Sequence, residues 1–186
     1  MKRLPAIDPS TATGETKKAL DAVEARTGHS PNVMRTIANS PVALLGYVAL
    51  DSALSEGTLS PRMREQIALA VAETNSCQSC VAAHLEAGKL LGLDEGAIRA
   101  AREASSSDPK TAAALQFART VAEYRGDLTD DEFDRVRRAG YTDSEIAEII
   151  ANVVLCLYAN YFNSIARTEI DVPVRDLPAR SETDRG

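Results

Sequence analysis

The sequence predicts an all-α protein, on three observations. Apolar residues return at three- and four-residue intervals along most of the chain. Helix starts and stops are spelled out in capping residues. No stretch alternates apolar and polar side chains, with β-branched enrichment, for long enough to make a strand. Ser40-Pro41, Ser60-Pro61 and Asp108-Pro109 each set an N-cap oxygen ahead of a proline at the first helical position, where a missing N–H does no harm. Thr129-x-x-Glu132 and Thr142-x-x-Glu145 are capping boxes. Gly57, Gly92, Gly126 and Gly140 stand where left-handed C-caps would stop the preceding helices. These marks divide the chain into eight or nine helices, near 15–27, 32–39, 41–56, 61–74, 77–91, 95–104, 109–125, 130–138 and 143–166. Met1–Gly14 and Asp171–Gly186 read as extended or loose. Ile67 and Val71, with the alanines around them, form one core stripe, and Ala147, Ile150, Val154 and Leu157 a second.

Bulk properties narrow the function. A chain of 186 residues can bury a core without disulfide or metal staples. Aromatic residues make up 4% and Trp is absent, so Ala, Leu, Ile and Val must build that core. The net charge of −6 argues against nucleic acid as a partner, because phosphate binding needs clustered Lys and Arg. The apolar runs read as shorter than the roughly 20 residues of a membrane span, and the N-terminus lacks an apolar signal core. A cytoplasmic location is therefore expected. In that reducing setting three cysteines do not make a disulfide framework, and a C-x-x-C pair reads first as chemistry or metal binding.

The pair is Cys77-Gln78-Ser79-Cys80. Asn75-Ser76 interrupts the helix that begins at Pro61, and Ser76 is placed to cap a new helix starting at Cys77. Cys77 and Cys80 then share a face at the helix N-terminus, whose partial positive charge favours a thiolate. His84 follows Cys80 by four residues and can take the thiol proton. Glu65, twelve residues before Cys77, would face His84 if the interruption folds one helix back on the other, and would orient the ring and raise its basicity. Cys156 lies in the apolar run Val153–Leu157 and reads as inert core. Zinc is the rival reading, but Cys77, Cys80 and His84 supply three ligands where a structural site needs four. A thioredoxin-type domain would need a strand before the motif, and none is present.

The run from Arg64-Glu65 through Asn75-Ser76-Cys77-Gln78-Ser79-Cys80-Val81-Ala82-Ala83-His84 resembles the alkyl hydroperoxidase D / carboxymuconolactone decarboxylase family, in its peroxidase-related branch. Ser30–Arg35, Ala38–Pro41, Gly88, Gly92, Gly140–Asp143, Asn160 and Asn163 share the likeness, which spans Leu4 to Pro173. The resemblance implies a single helical domain over 1–173 followed by a polar tail over 174–186. It also implies assembly into dimers, trimers or hexamers, and a redox pair with a proton relay made of Glu65, Cys77, Cys80 and His84. Peroxidase members reduce a hydroperoxide without an organic cofactor, and a protein dithiol, in some cases a lipoyl domain, re-reduces them. One position departs from the pattern: Ser79 stands where the best-known peroxidases carry a second histidine, and a hydroxyl cannot replace an imidazole as a base. The decarboxylase branch lacks the cysteine pair. The expected activity is thus a thiol-dependent hydroperoxide reductase, with Cys80 attacking and Cys77 resolving. The alternatives are a non-catalytic redox sensor, a zinc-holding module, or a decarboxylase-like enzyme working through Glu65 and His84.

Overall fold

A computed structural model describes residues 2–171. Among these residues there are nine α-helices and no strand: α1 (Gly14–Thr27), α2 (Asn32–Ile37), α3 (Pro41–Ser55), α4 (Pro61–Thr74), α5 (Gln78–Leu90), α6 (Glu95–Arg102), α7 (Pro109–Glu123), α8 (Asp130–Arg138) and α9 (Asp143–Ala166). The caps work as their chemistry requires. Ser40, Ser60 and Asp108 accept from the backbone N–H groups of Ala43, Met63 and Thr111, and both capping boxes close reciprocally. Gly92, Gly126 and Gly140 take the left-handed conformation, with φ of 79°, 84° and 91°.

Gly57 departs from the expected pattern. It is not left-handed; a Cβ there would lie 2.6 Å from Glu148 Oε2. That carboxylate accepts from the Thr58 N–H (2.8 Å), the Leu59 N–H (3.1 Å) and the Thr58 hydroxyl (3.0 Å), pinning the turn before α4 to α9. Close approach of the carboxylate, and not the backbone dihedral, explains the glycine.

Helix α4 is the hub, packed against α5, α6, α7 and α9. Its run from Ile67 to Ala72 is wholly buried, and Ile67 to Val71 join Leu115, Phe117, Val136, Ile149 and Val153 in the larger core. Helices α1–α3 enclose a second core of Leu20, Val23, Ile37 and Leu44, against which Phe162 of α9 packs. Helix α9 therefore borders both cores. The extended N-terminal segment crosses their edge, held by Arg3 N–H to Ala166 O (2.9 Å), Ile7 N–H to Arg35 O (3.0 Å) and Asn39 Nδ2 to Pro5 O (2.7 Å). The expected domain end at 173 and the tail over 174–186 lie outside the described residues.

On α9 the face expected to be buried is the wrong one. Ile146, Ile149, Val153 and Cys156 are buried, whereas Ile150 and Val154 are 37% and 50% exposed. From Ile149 to Ala166 the helix carries no charged residue. Periodicity cannot select a face when the helix is apolar all round. For the same reason α9 is long and apolar enough to cross a membrane by length and composition, contrary to the expectation from apolar runs. Here it packs against α2, α3, α4, α5, α7 and α8. Its remaining face exposes Ile150, Val154, Tyr158, Tyr161 and Ile165, which fall within an arc of roughly 80° at 3.6 residues per turn.

Candidate active site

The site begins at the turn between α4 and α5. The Ser76 N–H donates to Glu73 O (2.8 Å) and the Cys77 N–H to Ala72 O (2.9 Å), a Schellman closure with Ser76 in the left-handed position at φ 54°. Ser76 thus ends α4 and does not cap α5, as its side chain was expected to do. Cys77 itself is the N-cap of α5 and provides no side-chain cap. Cys80 sits at the third helical position, one turn on. The first turn of α5 therefore directs its partial positive charge toward the sulfurs.

Cys77 and Cys80 are joined as a disulfide, with their Cα atoms 5.3 Å apart. Both residues are buried, alongside Ala72 and Val81. Cys77 lines an open depression of about 300 Å³ with Ser79, Asn163 and Thr168. The Ser79 hydroxyl, standing where the resembled peroxidase pattern has a second histidine, lies 3.5 Å from Cys77 Sγ. Cys156 is a free, buried thiol, and burial, aided by the Glu65 charge, pushes its pKa up to about 12.

The Schellman turn folds α5 back along α4 and brings Glu65 to His84, with Nδ1 2.8 Å from Glu65 Oε2. A carboxylate accepts, so Nδ1 carries the proton and Nε2 is left to take another. Both side chains are about a quarter exposed, at 28% for His84 and 23% for Glu65. Burial disfavours a charged imidazole. The Glu65 charge, the hydrogen bond between the two and the Asp51 charge together outweigh it, holding His84 above its usual 6.5.

Around this pair runs a polar network missing from the sequence reading. Asp51 of α3 accepts from Arg26 of α1 (2.8 Å) and Arg64 of α4 (2.8 Å), and Arg64 Nε also donates to Asn152 Oδ1 of α9 (3.2 Å). At the far end of α9, Asn160 Oδ1 accepts from Asn75 Nδ2 (3.0 Å), and Asn163 Nδ2 lies 3.2 Å from Cys80 Sγ and 3.9 Å from Cys77 Sγ. Both asparagines shared the sequence resemblance without a role. Three amides, Asn152, Asn160 and Asn163, in the otherwise largely apolar stretch of α9 were the available signal. No group of three or more His, Cys, Asp or Glu placed to hold a metal ion occurs among the described residues.

The family model described as carboxymuconolactone decarboxylase family matches residues 41–124, from the start of α3 to just past α7. Glu65, Cys77, Cys80 and His84 all fall inside that segment. Residues 41–124 are thus similar to that family, a likeness that covers less than half of the chain. Its fold is similar to that of an AhpD-core, uncharacterized peroxidase-related protein of Ralstonia eutropha, at 22% identity over 91% of this chain and 92% of that one, TM-score 0.79. A peroxidase-related protein of Silicibacter sp. is similar at 24% identity over 90% and 92%, TM-score 0.75. So is a cysteine-to-alanine variant of the debrominase Bmp8 bound to 2,3,4-tribromopyrrole, at 20% identity over 91% of each chain, TM-score 0.77. An uncharacterized protein of Haemophilus influenzae is 51% identical over 47 residues, which is 25% of this chain and 42% of that protein. Helix α9, with both asparagines, lies beyond the matched segment.

Proposed function

We propose that the protein is a thiol-dependent hydroperoxide reductase that cycles Cys77 and Cys80 between dithiol and disulfide. The observation that carries this reading is the Cys77–Cys80 bond at the uncapped start of α5, with a Glu65–His84 pair on the same two helices. In the reduced protein the Cys80 thiolate attacks the peroxide oxygen, the O–O bond breaks and the alcohol leaves, with Cys80 as sulfenic acid. Cys77 then attacks the Cys80 sulfur, water is expelled and the disulfide forms. His84, oriented by Glu65, takes the Cys80 proton and returns it to the leaving oxygen. An external dithiol, carried by a partner protein such as one bearing a lipoyl group, restores the pair. The depression at Cys77 gives it access. The setting is the cytoplasm, which supplies such reductants.

The test is hydroperoxide consumption with catalytic protein and excess dihydrolipoamide. Many equivalents per protein are expected; arrest after one would identify a redox sensor. The likeness to the debrominase favours a second reading, in which the same pair supplies two electrons to replace aromatic bromine by hydrogen with release of bromide. Bromide release from 2,3,4-tribromopyrrole under the same conditions would select it.

The exposed stripe of α9 supports self-association, because a charge-free row from Ile150 to Ile165 matches a second copy of itself better than it matches water. Light scattering at micromolar protein is expected to give a dimer or a higher closed assembly, and Ile165→Glu is expected to lower that mass. A monomeric wild type would refute the assignment.

A further inference from the structure

We infer that Asn163 is the hydrogen-bond donor that receives the Cys80 thiolate when the disulfide opens, and that it thereby directs an incoming thiol to Cys77. This inference rests on the redox cycle proposed above. It concerns the half of that cycle in which the disulfide is reduced, whatever the oxidant.

The geometry is asymmetric. Asn163 Nδ2 is 3.2 Å from Cys80 Sγ but 3.9 Å from Cys77 Sγ. A disulfide sulfur is a weak acceptor and a thiolate a strong one, so the contact strengthens as the S–S bond breaks toward Cys80. Cys77, and not Cys80, also lines the open depression, although the two residues are almost equally buried. The amide does not hang free. Asn160, one turn earlier on the same face of α9, accepts from Asn75 at the end of α4, locking α9 against the turn that carries the cysteines. With Nδ2 on the sulfurs, Asn163 Oδ1 is buried and has no hydrogen-bond partner among the described residues. Turned the other way, the amide would set that oxygen against the thiolate.

The exchange then runs in two steps. A thiolate of the external dithiol attacks Cys77 Sγ and forms a mixed disulfide. The Cys77–Cys80 bond breaks and its electron pair stays on Cys80, under the Asn163 N–H and one turn from His84. The second thiol of the reductant, as its thiolate, attacks its own partner sulfur in the mixed disulfide and closes the reductant's disulfide. Cys77 leaves as a thiolate and takes a proton. Two electrons pass from the dithiol to the pair.

Asn163→Asp keeps the size of the side chain and removes the donor, and Asn163→Ala removes the amide altogether. Each is measured first in a Cys77→Ser background, where thiolate absorbance near 240 nm reports Cys80 while Cys156 stays protonated. Loss of a charge-assisted hydrogen bond should raise the Cys80 pKa by about one to two units, with Asp above Ala because its carboxylate repels the thiolate. The second measurement treats the wild-type disulfide with a monothiol, traps the product with an alkylating agent and maps it. The mixed disulfide should lie on Cys77 in the wild type and be shared between both cysteines in Asn163→Ala. A Cys80 pKa in Asn163→Asp no higher than in the parent overturns the inference, as does a wild-type mixed disulfide on Cys80. Neither readout needs peroxide turnover, so failure of the reductase reading leaves this test standing. A merely structural role for Asn163 would lower melting temperature without shifting the thiol titration.

Discussion

Cys80→Ser is expected to abolish peroxide turnover, by more than about a thousandfold, while Cys77→Ser keeps one stoichiometric reaction. The two variants differ because they remove different steps. Without Cys80 the thiol with His84 one turn along its own helix is gone, and Cys77 retains only the helix N-terminus, worth about half a pKa unit. Without Cys77 the attack still occurs, but no second sulfur is within reach to expel water, and the sulfenic acid persists. A dimedone-type probe should label Cys80 in Cys77→Ser and leave Cys80→Ser almost unlabelled. Ready labelling of Cys77 in Cys80→Ser, with none in Cys77→Ser, would reverse the order of the sulfurs. Burial does not decide the order, since Cys77 and Cys80 are 4% and 5% exposed.

Glu65→Gln is expected to slow oxidation of the pair by about a hundredfold near neutral pH, within the range for a positioned acid–base group. The substitution preserves volume and a hydrogen-bonding end while removing the charge that raises His84. With burial then unopposed at close range, the imidazole should titrate below its wild-type value, which a proton NMR titration of the ring would show. The same linkage has a stability signature with a definite sign. A raised histidine pKa contributes stability that is complete below its ordinary value of 6.5 and is lost as pH climbs through the higher folded value. The melting temperature of the wild type should therefore fall, relative to Glu65→Gln, as pH rises through that window. Equal reaction rates for the two proteins across pH 6 to 8 would remove Glu65 and His84 from the mechanism.

Local chemistry made much of this molecule legible in advance. Capping residues act within one turn, so Ser40, Ser60, Asp108, Thr129 and Thr142 fixed helix starts without reference to the rest of the chain. The approach of Glu65 to His84 was legible as well, because a break at Asn75-Ser76 leaves two helices little choice but to fold back. What escaped were features set by long-range packing. The exposed side of α9 depends on which neighbours cover it, and its apolar composition gives no hint. Gly57 looked like a cap because its conflict with Glu148 arises between residues 91 positions apart. Ser76 and Cys77 exchanged roles because a backbone closure onto Ala72 and Glu73 prevailed over a side-chain cap. Asn163 reaches the sulfurs from a helix 83 residues downstream of Cys80.

The buried thiol of Cys156 gives the protein a built-in gauge of its own breathing. In the disulfide form it is the one sulfhydryl left of three cysteines. It is inert for two reasons, its pKa near 12 and its place in the larger core among residues of α4 and α7. A small alkylating agent can take it up only when α9 lifts from that core. The labelling rate, divided by that of an unhindered thiol, is then the fraction of time the core stands open. Reduction of the Cys77–Cys80 pair unmasks two faster thiols without touching this one. A single time course therefore separates opening of the active site from opening of the fold.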